Sequence, residues 1–378
     1  MTSKERLSCV LSHRTPDRVP ISPYELVTYD YPDGDGGNWY HRQPSYANLL
    51  AYLRENTDCV YMWSPRETGG SGRFLTGRDI PVTREVTKTA LGELVRTTLE
   101  TPRGALTMTT RVDTAVNTTW TTEHLLKDVG DIDRFLSVPW EPYRPDLSGF
   151  ADVRDKLGDR GVILPHLSDP IDCVGGAFEF ADFMVLCFTE KKRIRYFLDA
   201  MLERVMDYLE YQLAGGVTGL FRICGPELAT APYLPREYFR EFAADYDKKL
   251  VEMIHSYGAK ARLHCHGRIA EILDDILDIG VDALDPVEDF PSGNIALRDV
   301  KARIGGEIAL FGNIQLQDLE ALGEAEMVAL TRRTLEAGMD GGGFALMPTA
   351  SPISARLSPI TERNYHAMVD TALRYGKY

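Results

Sequence analysis

The hydrophobic and polar positions of this chain follow two alternating periods. Short apolar runs occur eight times, each followed by the three-to-four-residue spacing of an amphipathic helix. The runs span residues 18–25, 58–63, 161–167, 217–225, 259–267, 281–286, 307–313 and 342–348. Residues 189–214 and 235–257 are the clearest helical segments. Strands that alternate with helices predict a parallel sheet with crossover connections, and eight such units close a (β/α)8 (TIM) barrel of the α/β class.

One segment, residues 78–125, departs from this alternation. It is rich in Val and Thr with a period of two, and it has turn signals at Leu91-Gly92 and at Pro102-Arg103-Gly104. We therefore predict a β-meander that is inserted after the second barrel strand, within a single domain that spans residues 1–378. Such an insertion serves either as a lid or oligomer contact, or as a wall that selects the substrate.

Composition and charge narrow the class of protein. The 378 residues are 44% hydrophobic and 26% charged, which is typical of a soluble globular protein. The net charge is −14 without a basic run, so we expect neither a nucleic-acid nor a membrane partner. No segment has the pattern of a signal peptide or the roughly 18 apolar residues of a membrane span. Six cysteines without paired spacing indicate reduced thiols, and we expect a cytoplasmic protein.

The candidate chemistry centres on "HCHG", residues 264–267, at the end of the fifth predicted strand. Because side chains alternate along a strand, His264 and His266 should share one face. Active sites of TIM barrels are built at the C-terminal ends of the strands. The polar and aromatic residues at those ends are Tyr24, Glu25, Tyr61, Trp63, His166, Asp169, Arg222, Cys224, Glu227, His264, His266, Asp285, Glu288, Asn313, Met347 and Thr349.

Three of these residues suggest a metal site. His264, His266 and Glu288 would offer two imidazoles and a carboxylate to a divalent ion, with zinc the first candidate, and would leave one position open. The paired histidines could instead bind an anion or form hydrogen bonds within the rim. Glu227, in "GPE", could be a further ligand or a general base. The aromatic rings of Tyr24, Tyr61 and Trp63 could wall the substrate pocket.

At these residues the chain resembles the uroporphyrinogen decarboxylase superfamily. The resemblance lies in "HCHG", in "GVDALDPVE" (280–288), in "LRDVKARIGGEIALFGNIQ" (297–315) and in the amino-terminal "KERLSCVLSHRTPDRVPI" (4–21). It extends over essentially the whole chain and implies a (β/α)8 barrel. Members of this superfamily are decarboxylases, or methyltransferases that move methyl groups between small substrates and a thiol or a corrinoid.

The decarboxylases are the poorer match. Their first strand is followed by an "RQAGR" segment that grips the substrate carboxylates, whereas this chain has "SPYELVTYDYPDG" with Glu25 and Asp30. An acidic rim would repel a substrate that bears many carboxylates. The zinc methyltransferases carry His-x-Cys on strand five and a later Cys, and the distantly similar cobalamin-independent methionine synthases add a Glu. His264 and Glu288 match the His and the Glu, His266 replaces the Cys, and "LMPTASP" (346–352) offers no sulfur.

A zinc site without sulfur is harder and more Lewis-acidic, and so suits polarising a leaving oxygen or nitrogen rather than activating a thiol. The resemblance therefore implies a zinc methyltransferase that demethylates a methoxylated or N-methylated small molecule. A corrinoid on a separate protein would accept the methyl group. Glu227 and His166 would be catalytic, and Tyr24, Glu25, Tyr61, Trp63, Arg222 and Asn313 would bind the substrate. A metal-dependent decarboxylase, lyase or hydrolase and a non-catalytic binder remain as alternatives. The superfamily commonly forms homodimers.

Overall fold

The computed structural model describes residues 1–26, 28–29 and 38–378. Asp30, which we expected at the acidic rim, lies outside the described residues. The strands are β1 (Cys59–Trp63), β2 (Val82–Lys88), β3 (Gly92–Thr101), β4 (Gly104–Asp113), β5 (Thr119–Glu123), β6 (Gly161–Ser168), β7 (Leu220–Cys224), β8 (Lys260–His264), β9 (Ala283–Asp285), β10 (Ala309–Ile314) and β11 (Phe344–Pro348). The α-helices are α1 (Ser3–Val10), α2 (Ala47–Asn56), α3 (Asp131–Leu136), α4 (Gly149–Leu157), α5 (Pro170–Gly175), α6 (Phe180–Thr189), α7 (Lys191–Ala214), α8 (Arg236–Phe239), α9 (Asp245–Ser256), α10 (Leu273–Ile279), α11 (Leu297–Ile304), α12 (Leu316–Ala321), α13 (Glu324–Gly338) and α14 (Pro359–Tyr375).

The barrel has seven regular parallel strands and an eighth, irregular position. The strand order is β1-β6-β7-β8-β9-β10-β11. Residues 19–22, called here the closing segment, lie between β11 and β1. Ile21 forms a parallel bridge with Leu346 of β11, and its carbonyl accepts a hydrogen bond of 2.7 Å from the Asp58 amide, next to β1. The predicted (β/α)8 barrel is confirmed, although the first predicted strand, 18–25, is reduced to this bridge.

Proline and a buried carboxylate explain the closing segment. Pro20 has no amide hydrogen, so this segment cannot form a full ladder. Asp58, which is fully buried, holds it instead through a 2.9 Å hydrogen bond from the Ile21 amide. The same carboxylate forms ion pairs with Arg6 at 2.6 Å and Arg18 at 2.7 Å. The barrel is therefore closed by side-chain contacts where the backbone pairing is incomplete.

Strand alternation divides the apolar residues into two layers. A small cluster fills the barrel interior and includes Val60, Leu164, Leu220, Ala283, Ala309, Phe311, Ala345 and Met347. A much larger cluster lies between the strands and the surrounding helices and takes the alternate positions of β1, including Tyr61 and Trp63. Two buried arginines, Arg222 and Arg262, also point into the interior from paired positions of β7 and β8.

The insertion follows the second barrel position, as predicted. Strands β2 to β5 form an antiparallel sheet in sequence order, which makes it a meander, within the predicted segment 78–125. Its last turn contacts the loop after β11. Val116 bridges Ser354, the Asn117 amide donates to the Ile353 carbonyl at 2.6 Å, and the Ala355 amide donates to the Ala115 carbonyl at 2.8 Å. The sheet therefore links the β1 side of the barrel mouth to the β11 side. Among the described residues, no helix is long and apolar enough to span a membrane.

Candidate active site at the barrel mouth

The end of β8 and the two residues that follow it place three nitrogen-bearing side chains on one side of the chain. Arg262, His264 and His266 alternate with Leu263 and Cys265, which belong to the outer apolar cluster. The exposed fraction of Arg262 is 1% and that of His264 is 6%, whereas His266 is only partly buried. The imidazole rings of His264 and His266 meet edge to face, with 4.6 Å between their centroids. The two histidines thus lie together at the C-terminal end of the barrel.

Each imidazole is held through Nδ1 by a carboxylate from the end of β9. Asp285 is paired in register with His264, and its Oδ2 lies 2.8 Å from His264 Nδ1. Glu288 Oε1 lies 3.3 Å from His266 Nδ1, while Glu288 Oε2 accepts a 2.7 Å hydrogen bond from the Gly267 amide. Between them, Val287 has a φ of 50°, a conformation that β-branched residues rarely adopt and that concentrates at functional sites. Because both contacts use Nδ1, Nε2 is the nitrogen of each ring with which a ligand could be bound.

The charge state of His264 follows from its surroundings. Burial lowers the pKa of His264 to about 4, despite its contact with Asp285. Burial acts to raise the pKa of Asp285, but Arg262 and His264 outweigh it and hold that pKa well below its usual range. Arg262 Nε donates to Asp285 Oδ1 at 2.5 Å. His264 is therefore neutral at pH 7 and donates its Nδ1 hydrogen to an ionised carboxylate, so Nε2 carries the lone pair.

The pKa of His266 shifts in the opposite direction to that of His264. Burial acts to lower its pKa, but the hydrogen bond to Glu288 and the nearby carboxylates of Glu227 and Asp285 raise it overall. The same contact with His266 outweighs burial and lowers the pKa of Glu288. His266 and Glu288 thus form a partly exposed ion pair, whose side chains are 35% and 13% exposed.

The closing segment leads into a second polar group around Arg222. Arg222 Nη2 donates to the Tyr24 hydroxyl at 2.6 Å, and Arg222 Nη1 lies 3.8 Å from Glu25 Oε1. The Tyr24 ring stacks on His264 with 6.2 Å between centroids. Tyr24 has a φ of 58°, so it too occupies the left-handed region. The structure therefore brings Tyr24, Glu25 and Arg222 together with the histidines.

Glu227 reaches a cavity of about 510 Å³ that it shares with His266 and Glu288, called here the His266 cavity. Its wall also contains Arg268 and the aromatic rings of Phe180 and Tyr233. Glu227 Oε2 accepts a hydrogen bond of 3.3 Å from the Gly225 amide. Burial raises the pKa of Glu227, so this carboxyl group tends to keep its proton. The volume suits a small molecule.

His166 borders a different space. It lines a second cavity of about 510 Å³, called here the His166 cavity, together with Asp172 and Tyr208. Its Nδ1 lies 3.8 Å from the Cys224 sulfur. Burial, followed by the nearby charge of Arg222, lowers the pKa of His166 to about 4, so the ring is neutral at pH 7. His166 is thus next to the Arg222 group but not in the His266 cavity.

Three residues expected at the site face the helices instead. Trp63 packs edge to face on Phe150 of α4 with 5.0 Å between ring centroids, and Tyr61 belongs to the same outer cluster. Asn313 accepts a 3.5 Å hydrogen bond from Thr334 of α13. In β1 the inward positions are Val60 and Met62, so the odd-numbered residues point away from the barrel. The structure therefore does not bring Tyr61, Trp63 and Asn313 together with the histidines.

Sequence reasoning missed Arg262 as a member of the site. Its signal was present, because Arg262 precedes His264 by two residues and so occupies the same face of β8. Asp285 was placed at a strand end but received no role. Together, Arg262 and Asp285 fix the position and the tautomer of His264.

The fit of a metal ion can be tested on these contacts. Within the described part of the chain, no group of three or more His, Cys, Asp or Glu side chains is arranged to hold a metal ion. The donor types nevertheless suit zinc, since the imidazole centroids of His264 and His266 lie 4.6 Å apart and the carboxylate of Glu288 is next to them. Glu288 would have to exchange its contact with His266 for the ion. An Asp285-His264 contact behind a ligand nitrogen is the usual support for a metal-bound histidine.

A protein family and several solved structures are similar to this chain to different degrees. A family model described as uroporphyrinogen decarboxylase (URO-D) matches residues 153–375. No curated protein matches the chain. Among solved structures, a methyltransferase from Methanosarcina mazei is 18% identical, with a TM-score of 0.59 over 99% of each chain. A D-psicose 3-epimerase from Clostridium cellulolyticum H10 is 10% identical, with a TM-score of 0.38 over 61% of this chain and 84% of that one. A mannanase from Bacillus subtilis is 14% identical, with a TM-score of 0.34 over 59% and 69%.

Proposed function

Since the chain belongs to the uroporphyrinogen decarboxylase (URO-D) family, we propose that it is a zinc-dependent methyltransferase of the demethylating kind. Its substrate would be a methoxylated or N-methylated small molecule, and a corrinoid carried by a separate protein would accept the methyl group. The likeness in fold to the methyltransferase from Methanosarcina mazei supports the general class.

The observation that carries this proposal is the state of His264. Its Nδ1 is held by Asp285, which is in turn held by Arg262, and its pKa of about 4 keeps the ring neutral. A neutral, oriented imidazole next to a second one is the form in which histidine binds a metal ion. A histidine that served only as a hydrogen-bonding rim residue would not need a buried ion pair behind it.

In this proposal His264, His266 and Glu288 hold zinc, which as a Lewis acid would stabilise the charge that develops on the leaving oxygen or nitrogen. Glu227 lines the same cavity, burial raises its pKa, and in this proposal it gives a proton to that leaving atom. Phe180 and Tyr233, whose rings meet edge to face at 4.8 Å, form an apolar wall against which the methylated group can pack.

The first experiment measures the zinc content of protein purified without an affinity tag. We expect near-stoichiometric zinc in the wild type and its loss in His264→Ala and in His266→Ala. His255→Ala is the matched control, because His255 is an exposed histidine that contacts Asp282 and not the mouth. The absence of zinc from the wild type, even after zinc is added, would refute the metal site.

The second experiment tests the reaction. The zinc protein is incubated with methoxylated and N-methylated compounds and a methyl-accepting corrinoid protein, and the demethylated product is measured by mass spectrometry. Release of carbon dioxide or of a hydrolysis product without methyl transfer would instead support the lyase or hydrolase alternative. Binding without any product would support a non-catalytic binder.

A further inference from the structure

Two buried aspartates behind the site have no role in the function proposed above. Asp169, which precedes α5, and Asp247, on α9, both have an exposed fraction of 0%. Their side chains contact each other, and we call them the carboxyl pair. Asp169 Oδ1 accepts a 2.7 Å hydrogen bond from the Asp172 amide. Among the described residues, no donor group reaches the remaining three oxygens of the pair.

The neighbouring side chains whose charges shift the pKa values of the carboxyl pair are themselves acidic. They are the carboxyl groups of Asp172, on α5, and Glu227. Burial raises the pKa values of the Cys173 and Cys265 thiols, and the charges of the pair raise them further. Among the described residues, the charged groups with the largest effect on the pKa of either aspartate are all carboxyl groups. Two carboxylates in contact and out of water cannot both ionise without a counter-charge. The carboxyl pair must therefore hold at least one proton at neutral pH.

The electrostatic environment agrees with this geometry. Burial raises the pKa of Asp247 to about 8. Burial, followed by the charges of Asp247 and Asp172, raises the pKa of Asp169 well above its usual range. A buried group that holds a proton up to this pH can supply it at the pH at which enzymes work.

The carboxyl pair lies directly behind the turn that carries Glu227. Gly225 has a φ of 134°, and a Cβ atom at this position would lie 2.1 Å from Asp169 Oδ1. On its other side, the Gly225 amide donates to Glu227 Oε2 at 3.3 Å. The Asp169 amide also donates to the Cys224 carbonyl at 2.9 Å. Glycine thus allows the buried carboxyl group to approach the turn from which Glu227 reaches the His266 cavity.

Asp247, the other member of the carboxyl pair, lies on a helical segment that a π-helical turn interrupts. Asp247 lies in the first turn of α9, directly after the π-helical residues Arg240–Ala244. π-helical turns interrupt α-helices frequently at functional sites, because the extra residue changes which side chains face inward. Here the interruption precedes an aspartate in a fully buried position, where helices ordinarily place apolar residues.

We propose that the carboxyl pair stores a proton and resupplies Glu227 during turnover. Glu227 gives its proton to the substrate oxygen or nitrogen as the bond from that atom to the methyl carbon breaks. The Glu227 carboxylate then takes a proton from the carboxyl pair. After the product leaves, water in the His266 cavity reprotonates Glu227, and the pair regains its proton through Glu227, because the pair itself has no exposed surface. The relay to Glu227 depends on the proposed function, whereas the stored proton does not.

The stored proton is tested by the pH dependence of stability. The pKa of Asp247 rises from its ordinary value of 3.8 to about 8 in the folded protein. Between pH 3.8 and about pH 8, Asp247 is therefore protonated in the folded state and mostly ionised in the unfolded state. Stability must therefore fall as the pH rises through this window, with the unfolding constant rising up to tenfold per pH unit from this group. In Asp247→Asn this contribution disappears. Asp152→Asn, at an exposed aspartate, is the matched control and should keep the wild-type dependence.

The relay is tested by comparing the first turnover with later ones. In Asp247→Asn we expect a first turnover within about twofold of the wild type, since Glu227 still carries its proton. The steady-state rate should fall roughly tenfold or more and should recover when a small acid such as formic acid is added. A purely structural aspartate would not be rescued in this way. If Asp247→Asn does not fold, Asp169→Asn provides the same test, because its amide oxygen can still accept from Asp172.

The outcomes separate the two proposals. A wild type without the pH dependence would overturn the stored proton. A variant that loses this dependence but keeps its steady-state rate would make the carboxyl pair structural, with methyl transfer unaffected. A wild type that shows the pH dependence but never demethylates a substrate would overturn the proposed function and the relay, and would leave only the stored proton.

Discussion

Replacing Asp285 by Asn would test the buried charge network that positions His264. Asp285 accepts from Arg262 Nε through Oδ1 and contacts His264 Nδ1 through Oδ2. Asparagine has the same size but a single acceptor oxygen, so it can serve only one of these two groups. It also removes the negative charge opposite a guanidinium that is 1% exposed.

The expected loss of stability follows from the contacts that Arg262 keeps once the Asp285 carboxylate is gone. Arg262 Nη1 has no partner among the described residues even in the wild type. Apart from Asp285, the guanidinium has Met347 Sδ at 3.6 Å and the centroid of the Phe311 ring at 4.8 Å. Leaving a buried charge without its counter-ion costs about 3–5 kcal/mol. A typical domain has only about 5–15 kcal/mol of total stability. Asp285→Asn should therefore lose a large share of the free energy of unfolding.

Urea denaturation, with extrapolation to zero urea, measures this loss. Glu288→Gln is the control, because its partner His266 is partly exposed, and we expect a cost of about 0–1 kcal/mol. The double variant Arg262→Met/Asp285→Asn should recover at least about 2 kcal/mol relative to the single variant, because both buried charges are then gone. A single variant that costs less than about 1 kcal/mol, or a double variant that recovers nothing, would refute this account of the site.

Three further predictions concern the frame around the site. Asp58→Asn should cost about 3–5 kcal/mol of unfolding free energy in urea, because Arg6 and Arg18 lose the carboxylate that secures the closing segment; a cost below about 1 kcal/mol would contradict this. Trp63→Ala should cost about 3–5 kcal/mol of unfolding free energy, because it leaves a cavity in the outer cluster. Its zinc content should equal that of the wild type, and loss of zinc would instead place this ring at the metal. Gly225→Ala should lower the thermal midpoint and cost at least about 1–3 kcal/mol, because alanine is strained at a φ of 134°; a midpoint equal to the wild type would show that this turn tolerates a side chain.

The fold was predictable because its signals are local and repeated. Seven of the predicted runs contain regular barrel strands, and the predicted helices 189–214 and 235–257 correspond to α7 and to the segment from α8 to α9. The first run failed as a regular strand because Pro20 removes a hydrogen-bond donor, although the same run still closes the barrel. The stretch similar to the family, 297–315, contributes to the frame. Lys301 donates to the Gly342 carbonyl, and Arg303 donates to the Ala270 carbonyl at 2.8 Å.

The site was only partly predictable, because the position of a residue at a strand end does not fix its face. His264 and His266 were grouped correctly by alternation, although β8 ends at His264 and His266 lies two residues beyond it. Trp63 was assigned to the mouth by position alone, although the alternation of β1 turns it toward α4. The partner of each imidazole depends on register between neighbouring strands, and the contact between Asp169 and Asp247 depends on how α9 packs behind β8. Neither register nor helix packing is encoded in a local pattern.

The barrel interior shows why function, and not stability, explains these charges. TIM barrels ordinarily fill their interior with apolar layers. Here Arg222 and Arg262 lie side by side on adjacent strands and both point into the interior. Apolar residues in such places are often neutral or stabilising. The arginines instead fix the groups at the mouth, since Arg222 holds Tyr24 against His264, and Arg262 keeps Asp285 ionised so that His264 has one tautomer. A chain that required only a barrel would have no physical reason to bury these charges, whereas a chain that must present an oriented, neutral imidazole does.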